Sequence, residues 1–172
     1  RRNPPENNFA ELFWGPLMTD DGKLFGIANQ LYIWDSFPED ENDAPDVRIG
    51  RPGAESEEGY PIGGSGDGSA VAVAGGRLYV SLTNNNLIAG FNSMPTDTYQ
   101  EPDFVIGSPG LYTNTLTTNY FVSNPLPAAD GEGLYVISSR FDKKVYIWDN
   151  VPDESGAWPD TVLSGDWLYT DA

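Results

Sequence analysis

Apolar residues along this chain come in short runs broken by Gly, Pro, Asp and Asn, and the runs form a recurring set of four. The first run of each set is built from small residues: Pro16-Leu17-Met18, Ala70-Val71-Ala72-Val73-Ala74 and Leu126-Pro127-Ala128-Ala129. A Gly or Asp-Gly pair follows each (Asp21-Gly22, Gly75-Gly76, Asp130-Gly131), which is the chemistry of a tight turn. The second run is Leu24-Phe25-Gly26-Ile27, Leu78-Tyr79-Val80-Ser81 or Leu134-Tyr135-Val136-Ile137. The third ends on an aromatic and then a small acid or amide: Tyr32-Ile33-Trp34-Asp35, Ile88-Ala89-Gly90-Phe91-Asn92 and Tyr146-Ile147-Trp148-Asp149. The fourth is Val47-Arg48-Ile49-Gly50, Phe104-Val105-Ile106-Gly107 or Thr161-Val162-Leu163-Ser164. No segment of about 10–12 residues carries a helical period, so the pattern predicts four short strands per set.

The sets are evenly spaced. A Pro between the third and fourth runs stands at 38, 95 and 152, and a Pro-Asp pair begins at 45, 102 and 159, so both recur every 57 residues. A fixed period of this size marks a repeat architecture. The second and third runs are almost continuously apolar, as in Val145-Tyr146-Ile147-Trp148, which predicts burial on both faces. Radially stacked propeller blades bury a four-stranded antiparallel sheet in that way. The fourth run alternates, with Val47 and Ile49 to one side and Arg48 to the other, as expected at an outer rim. The Ala-rich first run suits a crowded axis. A β-sandwich is the competing all-β arrangement, but it does not demand the period.

The expected architecture is therefore all-β: a single propeller segment over 1–172, with four-stranded blades at about 13–53, 69–110 and 125–167 joined by long polar connectors. Three blades are too few for a ring, which takes about four to eight, and open end blades would expose apolar faces. The chain is expected to be half of a six-bladed ring. Either a homodimer completes it, or the chain is a fragment of a longer one, cut in phase within a connector at each end.

Composition narrows function more than fold. Nine Lys and Arg against 26 Asp and Glu give a net charge of −17, which argues against nucleic acid and against an anionic membrane surface. The charge suits a cationic partner, a solvated extracellular surface or a high-salt milieu. Cysteine is absent, so disulfides, Cys-based zinc sites and Cys nucleophiles are excluded. Histidine is absent too, which removes Ser-His-Asp chemistry and His-ligated zinc. No apolar stretch reaches the roughly 18 residues of a membrane-spanning helix.

Certain segments resemble the NHL-repeat β-propellers of bacteria. They are Lys144-Val145-Tyr146-Ile147-Trp148-Asp149-Asn150-Val151-Pro152 through Pro159-Asp160-Thr161-Val162-Leu163, Asn85-Asn86-Leu87-Ile88, Pro102-Asp103-Phe104-Val105-Ile106-Gly107-Ser108-Pro109 and Gly76-Arg77-Leu78-Tyr79-Val80-Ser81. That family repeats N-N-R-V-L-I-W-N-x-x-P … A-D-x-V-L-G-Q-P, with G-R-L-Y-V-A-D ahead of it. The match departs at Leu87, which replaces the Arg, at the shortened Ala28-Asn29-Gln30 turn, and at Ser164-Gly165-Asp166 in place of G-Q-P. The resemblance implies a six-bladed ring whose loops bind proteins, glycans or small ligands. The His-dependent lyase activity of some relatives does not carry over to a chain without His.

Candidate sites follow from asymmetry between the copies. The repeated Pro-Asp pairs, and the equivalent Trp34, Phe91 and Trp148, read as structure, with each Asp accepting from nearby backbone N–H groups. The turn between second and third strands carries Asn84-Asn85-Asn86 in one copy and Ser139-Arg140-Phe141-Asp142-Lys143-Lys144 in another. From it Asn85, Arg140, Phe141 and Lys143 are taken as candidate binding residues. Phe13, Trp14, Tyr112, Tyr120, Phe121 and Trp158 are further candidates for stacking on a sugar or an apolar partner. Asp20-Asp21, Asp67 and Asp130 beside their glycines raise calcium, but so few carboxylates per loop fall short of the six to eight oxygens it needs, and turn chemistry explains them. No catalytic residue or metal ligand is assigned. The expected function is a non-enzymatic binding or scaffold module, extracellular or periplasmic, with a protein or glycan partner. The alternative is a calcium-dependent hydrolase or lactonase acting in a central channel.

Overall fold

The computed structural model describes residues 18–27, 30–40, 42–50, 70–82, 86–111, 122, 125–138 and 143–164. These hold twelve strands and no helix: β1 (Met18–Asp20), β2 (Lys23–Ile27), β3 (Leu31–Trp34), β4 (Val47–Ile49), β5 (Val71–Ala74), β6 (Arg77–Leu82), β7 (Leu87–Phe91), β8 (Phe104–Ile106), β9 (Pro125–Ala129), β10 (Leu134–Ser138), β11 (Lys144–Trp148) and β12 (Thr161–Ser164). They form three four-stranded antiparallel sheets in the orders β1-β2-β3-β4, β5-β6-β7-β8 and β9-β10-β11-β12. Each sheet is a blade-like meander, four strands per repeat as the sequence predicts.

Local chemistry sets the turns. Asp21 and Gly22 (φ 44° and 77°) join β1 to β2, and Gly75 and Gly76 (56° and 71°) join β5 to β6. Two consecutive left-handed residues make the tight hairpin that matches strand twist. The third copy uses a four-residue turn instead, since Ala129 pairs with Leu134. The third strands stop one residue before the predicted acid or amide, because the backbone N–H groups of Asp35, Asn92 and Asp149 leave the ladder for a side-chain acceptor described below.

The strands fall into two units, Arg1–Asp67 with Pro95–Glu101 and Gly68–Met94 with Pro102–Ala172. In the first unit, Leu24, Phe25, Ile27, Leu31, Tyr32, Ile33 and Trp34 are all buried, as are Val47 and Ile49 on β4. Continuous apolarity here does mean burial on both faces. Arg48 between the two valine-like positions is only half-buried, which is the predicted alternation.

In the second unit two sheets pack face to face. Ala72, Ala74, Tyr79, Ile88, Phe104 and Ile106 from the β5–β8 sheet share one core with Leu134, Val136, Tyr146 and Trp148 from the β9–β12 sheet. The small first strand β5 lies against β9, so the Ala-rich run is where two backbones come close. The same unit departs from the sequence reading in two places. All of β8 is buried, not alternating. And the third sheet is buried on one face only, since Tyr135, Ile137, Val145 and Ile147 are half-buried or exposed although their runs are as apolar as those of β6 and β7. Burial on both faces needs a neighbour on both sides, and among the described residues none lies on that side of this sheet.

Gly90 shows how a repeat position is adapted. Copies one and three carry Ile33 and Ile147 there. A Cβ on Gly90 would overlap the ring of Phe104 on the adjacent strand, where copy one has Val47 paired with Ile33. Volume has moved from the third strand to the fourth. The Phe104 ring meets Tyr79 edge-on at 6.1 Å between centroids.

Candidate interaction surface

Between the third and fourth strands of each sheet runs an excursion fixed at its base by the repeated Asp. Asp46 Oδ2 accepts from the N–H of Asp35 at 2.8 Å, Asp103 Oδ2 from Asn92 at 2.7 Å, and Asp160 Oδ2 from Asp149 at 2.8 Å. The indoles of Trp34 and Trp148 donate to the excursion carbonyls of Asp43 (3.0 Å) and Ala157 (3.2 Å), which are also repeat-equivalent. The Pro-Asp pair is therefore structural, a carboxylate that satisfies the N–H left over where the third strand ends.

The tips of two excursions clasp the outer strand of a preceding sheet, each within one unit. In the first unit, the N–H of Arg48 donates to Thr98 Oγ1 (3.3 Å) and the N–H of Tyr99 donates to the Arg48 carbonyl (2.8 Å). In the second, the N–H of Val105 donates to Ser155 Oγ (3.0 Å) and the N–H of Gly156 donates to the Val105 carbonyl (3.2 Å). Positions 48 and 105, 98 and 155, and 99 and 156 are each 57 apart, so one four-group clasp is used twice. Sequence reasoning missed it; the signal was a hydroxyl at 98 and 155, hidden because copy one places Glu41 there. The second clasp is reinforced. Tyr79 donates its hydroxyl to the Pro152 carbonyl at 2.8 Å, and Arg77 pairs with Asp153 at 3.1 Å. Burial pushes the Tyr79 phenol up to about 12, against the lowering effect of Arg77.

The equivalent third outer strand, β12, has every residue exposed, with Val162 at 46% and Leu163 at 45%. Pairing through the sheet puts Leu126, Tyr135, Ile137, Val145, Ile147 and Leu163 on one face, and none of these is buried. Full burial of a large apolar side chain is worth roughly 1.5–3 kcal/mol, so this face leaves a sizeable stabilisation unrealised. Tyr135, the counterpart of Tyr79, turns its hydroxyl to Asp130 Oδ2 at 2.7 Å. The N–H of Gly133, the Tyr135 hydroxyl and the N–H of Glu132 together hold the Asp130 carboxyl below its ordinary range, and the same contact with Asp130 raises Tyr135. Asp130 thus serves its own turn, as turn chemistry predicts.

Of the residues singled out in the sequence, Asn85, Arg140 and Phe141 lie outside the described residues, as do Phe13, Trp14, Asp67, Tyr112, Tyr120 and Phe121. Lys143 is exposed, one residue before β11, with φ 48°. Asn86, 57 residues earlier, has φ 56°, so this is a left-handed turn position that Asn tolerates better than Lys. Trp158 stands on the third excursion, 62% exposed, and the other two excursions also present aromatics, Phe37 at 58% and the exposed Tyr99. In copy one the excursion base is looser as well: Pro38 is half-buried where Pro95 and Pro152 are buried. Gln30, buried in the first unit, donates to the Gly50 carbonyl and accepts from Tyr32 at 3.4 Å.

Among the described residues no three carboxylates come together as a metal cage, and no helix is long and apolar enough to cross a membrane. Among the described residues the surface offers two occupied clasps, an open sheet face and three exposed aromatic rings. No protein-family model matches the chain, and no curated protein matches it significantly.

Proposed function

We propose that the chain is a non-enzymatic binding or scaffold module, a segment of an NHL-type β-propeller that presents its excursions to a protein or glycan partner in an extracellular or periplasmic setting, without a cofactor. The observation that carries this reading is the exposed aromatic on each excursion: Phe37, Tyr99 and Trp158. An aromatic ring left in water is an anchor for a sugar ring or an apolar partner surface. The Asp caps hold all three excursion bases and the clasps hold two of the tips, those that carry Tyr99 and Trp158. The motif likeness to NHL repeats and the meander of four strands per 57-residue repeat support the propeller assignment. The net charge of −17 favours partners that carry positive charge.

The test is a calorimetric screen of wild type and Trp158→Ala against neutral and amino-sugar oligosaccharides and a cationic peptide. The reading expects at least one of these to bind and Trp158→Ala to weaken that binding by about tenfold or more, an ordinary loss for an interface Trp. Binding untouched by Trp158→Ala, or no binding by any probe, contradicts the reading.

A further inference from the structure

We propose that the open face of the third blade receives the first excursion of a second copy of this chain, repeating in trans the clasp that the chain makes twice within itself. The inference assigns Phe37 to a contact between copies and leaves Tyr99 and Trp158 for other partners; it does not depend on what those two rings bind.

The receiving half is defined by equivalence. Val162 is 57 residues beyond Val105 and 114 beyond Arg48, the two residues whose N–H and carbonyl are held by an excursion. No described residue meets Val162 in that way. Tyr135 holds the place of Tyr79, whose hydroxyl reaches the excursion carbonyl of Pro152. In the second blade the face that carries Tyr79, Ile88 and Ile106 is buried against the third blade; in the third blade the face that carries Tyr135, Val145 and Leu163 is not. The occupant of the first is a blade of this repeat, and the vacant face has the same strand order, pairing and apolar character.

The inserting half is present in the same chain, with Glu41, a carboxylate acceptor, standing where the Thr98 and Ser155 hydroxyls accept. Phe37-Pro38 correspond to Met94-Pro95 and Val151-Pro152. Val151 packs against the shared core and lies over Gly75 in the preceding hairpin turn, and Pro152 is buried. Phe37 is instead 58% exposed. Asn42 corresponds to Tyr99 and Gly156, whose N–H groups donate across to the preceding strand; the Asn42 N–H is folded back on Asp40 Oδ1 at 2.7 Å. At both surfaces, then, a donor that crosses a blade junction elsewhere is held by a local Asp: Asn42 by Asp40, and Tyr135 by Asp130. Leu24, Tyr32 and Trp34 behind this excursion are already buried, so the contact is made by Phe37, Pro38 and the excursion tip against β12 and the Tyr135–Leu163 face. Each copy carries both halves, and the contact is heterologous, head to tail. With −17 on each copy, salt strengthens it by screening the repulsion between copies.

Light scattering behind a sizing column, across protein and salt concentration, tests this with the whole chain and with Phe37→Asp and Leu163→Asp, circular dichroism confirming that both fold. Wild type is expected to exceed 18.8 kDa as concentration and salt rise. Each variant alone stays monomeric, its association weakened by at least about 30-fold, as for loss of an interface anchor. Mixed one to one, the two variants give a two-chain species, because one keeps the receiving face and the other the inserting excursion. Val162→Pro, tolerated on an edge strand, removes the N–H of the clasp and should behave like Leu163→Asp if that variant misfolds. A wild type that is monomeric throughout overturns the proposal. So does association lost in Leu163→Asp but retained in Phe37→Asp, or two variants that fail to complement, since either outcome means the face meets something other than the first excursion.

Discussion

Exchanging Gly90 and Phe104 for the residues of the first copy tests whether the repeats are interchangeable in packing as well as in spacing. Copy one pairs Ile33 with Val47, and copy two pairs Gly90 with Phe104 at the same register. Phe104 is 3% exposed and meets the fully buried Tyr79 edge-on, so Phe104→Val loses part of the 3–5 kcal/mol of a full ring deletion, together with an aromatic contact worth about 0.5–1.5 kcal/mol; a cost of about 2–3 kcal/mol is expected. Gly90→Ile drives a branched side chain into the Phe104 ring, and overpacking of that kind costs about 1–3 kcal/mol or more. Together the two changes rebuild the copy-one pair. The double variant should therefore be more stable than the sum of the singles by about 2–3 kcal/mol, the upper range for residues in direct contact. Urea unfolding of the four proteins, followed by tryptophan fluorescence, measures this coupling. If the two costs simply add, the exchange of volume between third and fourth strands is not what makes Gly90 necessary.

Other expectations follow from the same contacts. Asp103→Ala leaves the Asn92 N–H without its acceptor and should cost about 1 kcal/mol, with Asp46→Ala and Asp160→Ala similar; unequal thermal shifts across the three would break the equivalence. Lys143→Gly relieves a left-handed backbone and should stabilise by about 1 kcal/mol, read as a raised Tm. Since the Tyr79 phenol is raised, the stability its neutral form contributes is whole below the ordinary value of 10 and is lost as pH climbs through about 12; ultraviolet titration should show one tyrosine ionising last, and Tyr79→Phe should remove it. Asp130 is lowered, so what its ionised form contributes is present above the ordinary carboxylate value and disappears as pH falls through the lowered one. Asp130→Asn should flatten that acid limb and bring Tyr135 back toward its ordinary value, both visible by titration.

The period, the four strands per repeat and the role of the Pro-Asp pair were all legible, because Pro, Gly and Asp act locally and leave their marks at fixed positions. Strand ends were displaced by a residue where an N–H turns from the ladder to an Asp, as at Asp35 and Asn92. The clasp was harder to see. Its carbonyl and N–H groups exist at every position, and only Thr98 and Ser155 distinguish it. Burial of the third sheet could not be read at all: Val145-Tyr146-Ile147-Trp148 has the composition of a strand covered on both faces, and whether it is covered depends on what lies beside it. Tyr135 was unremarkable in sequence for the same reason. Its significance comes from Tyr79, whose hydroxyl shows where such a residue points when a neighbour is present.

Amide hydrogen exchange at Arg48, Val105 and Val162 in dilute protein addresses the repeated clasp most directly, since these three N–H groups occupy one repeat position and differ in what holds them. The account predicts that Arg48 and Val105, bonded to Thr98 and Ser155, exchange slowly, and that Val162 on the exposed β12 exchanges quickly. Equal protection at all three, or fast exchange at Val105, would contradict it.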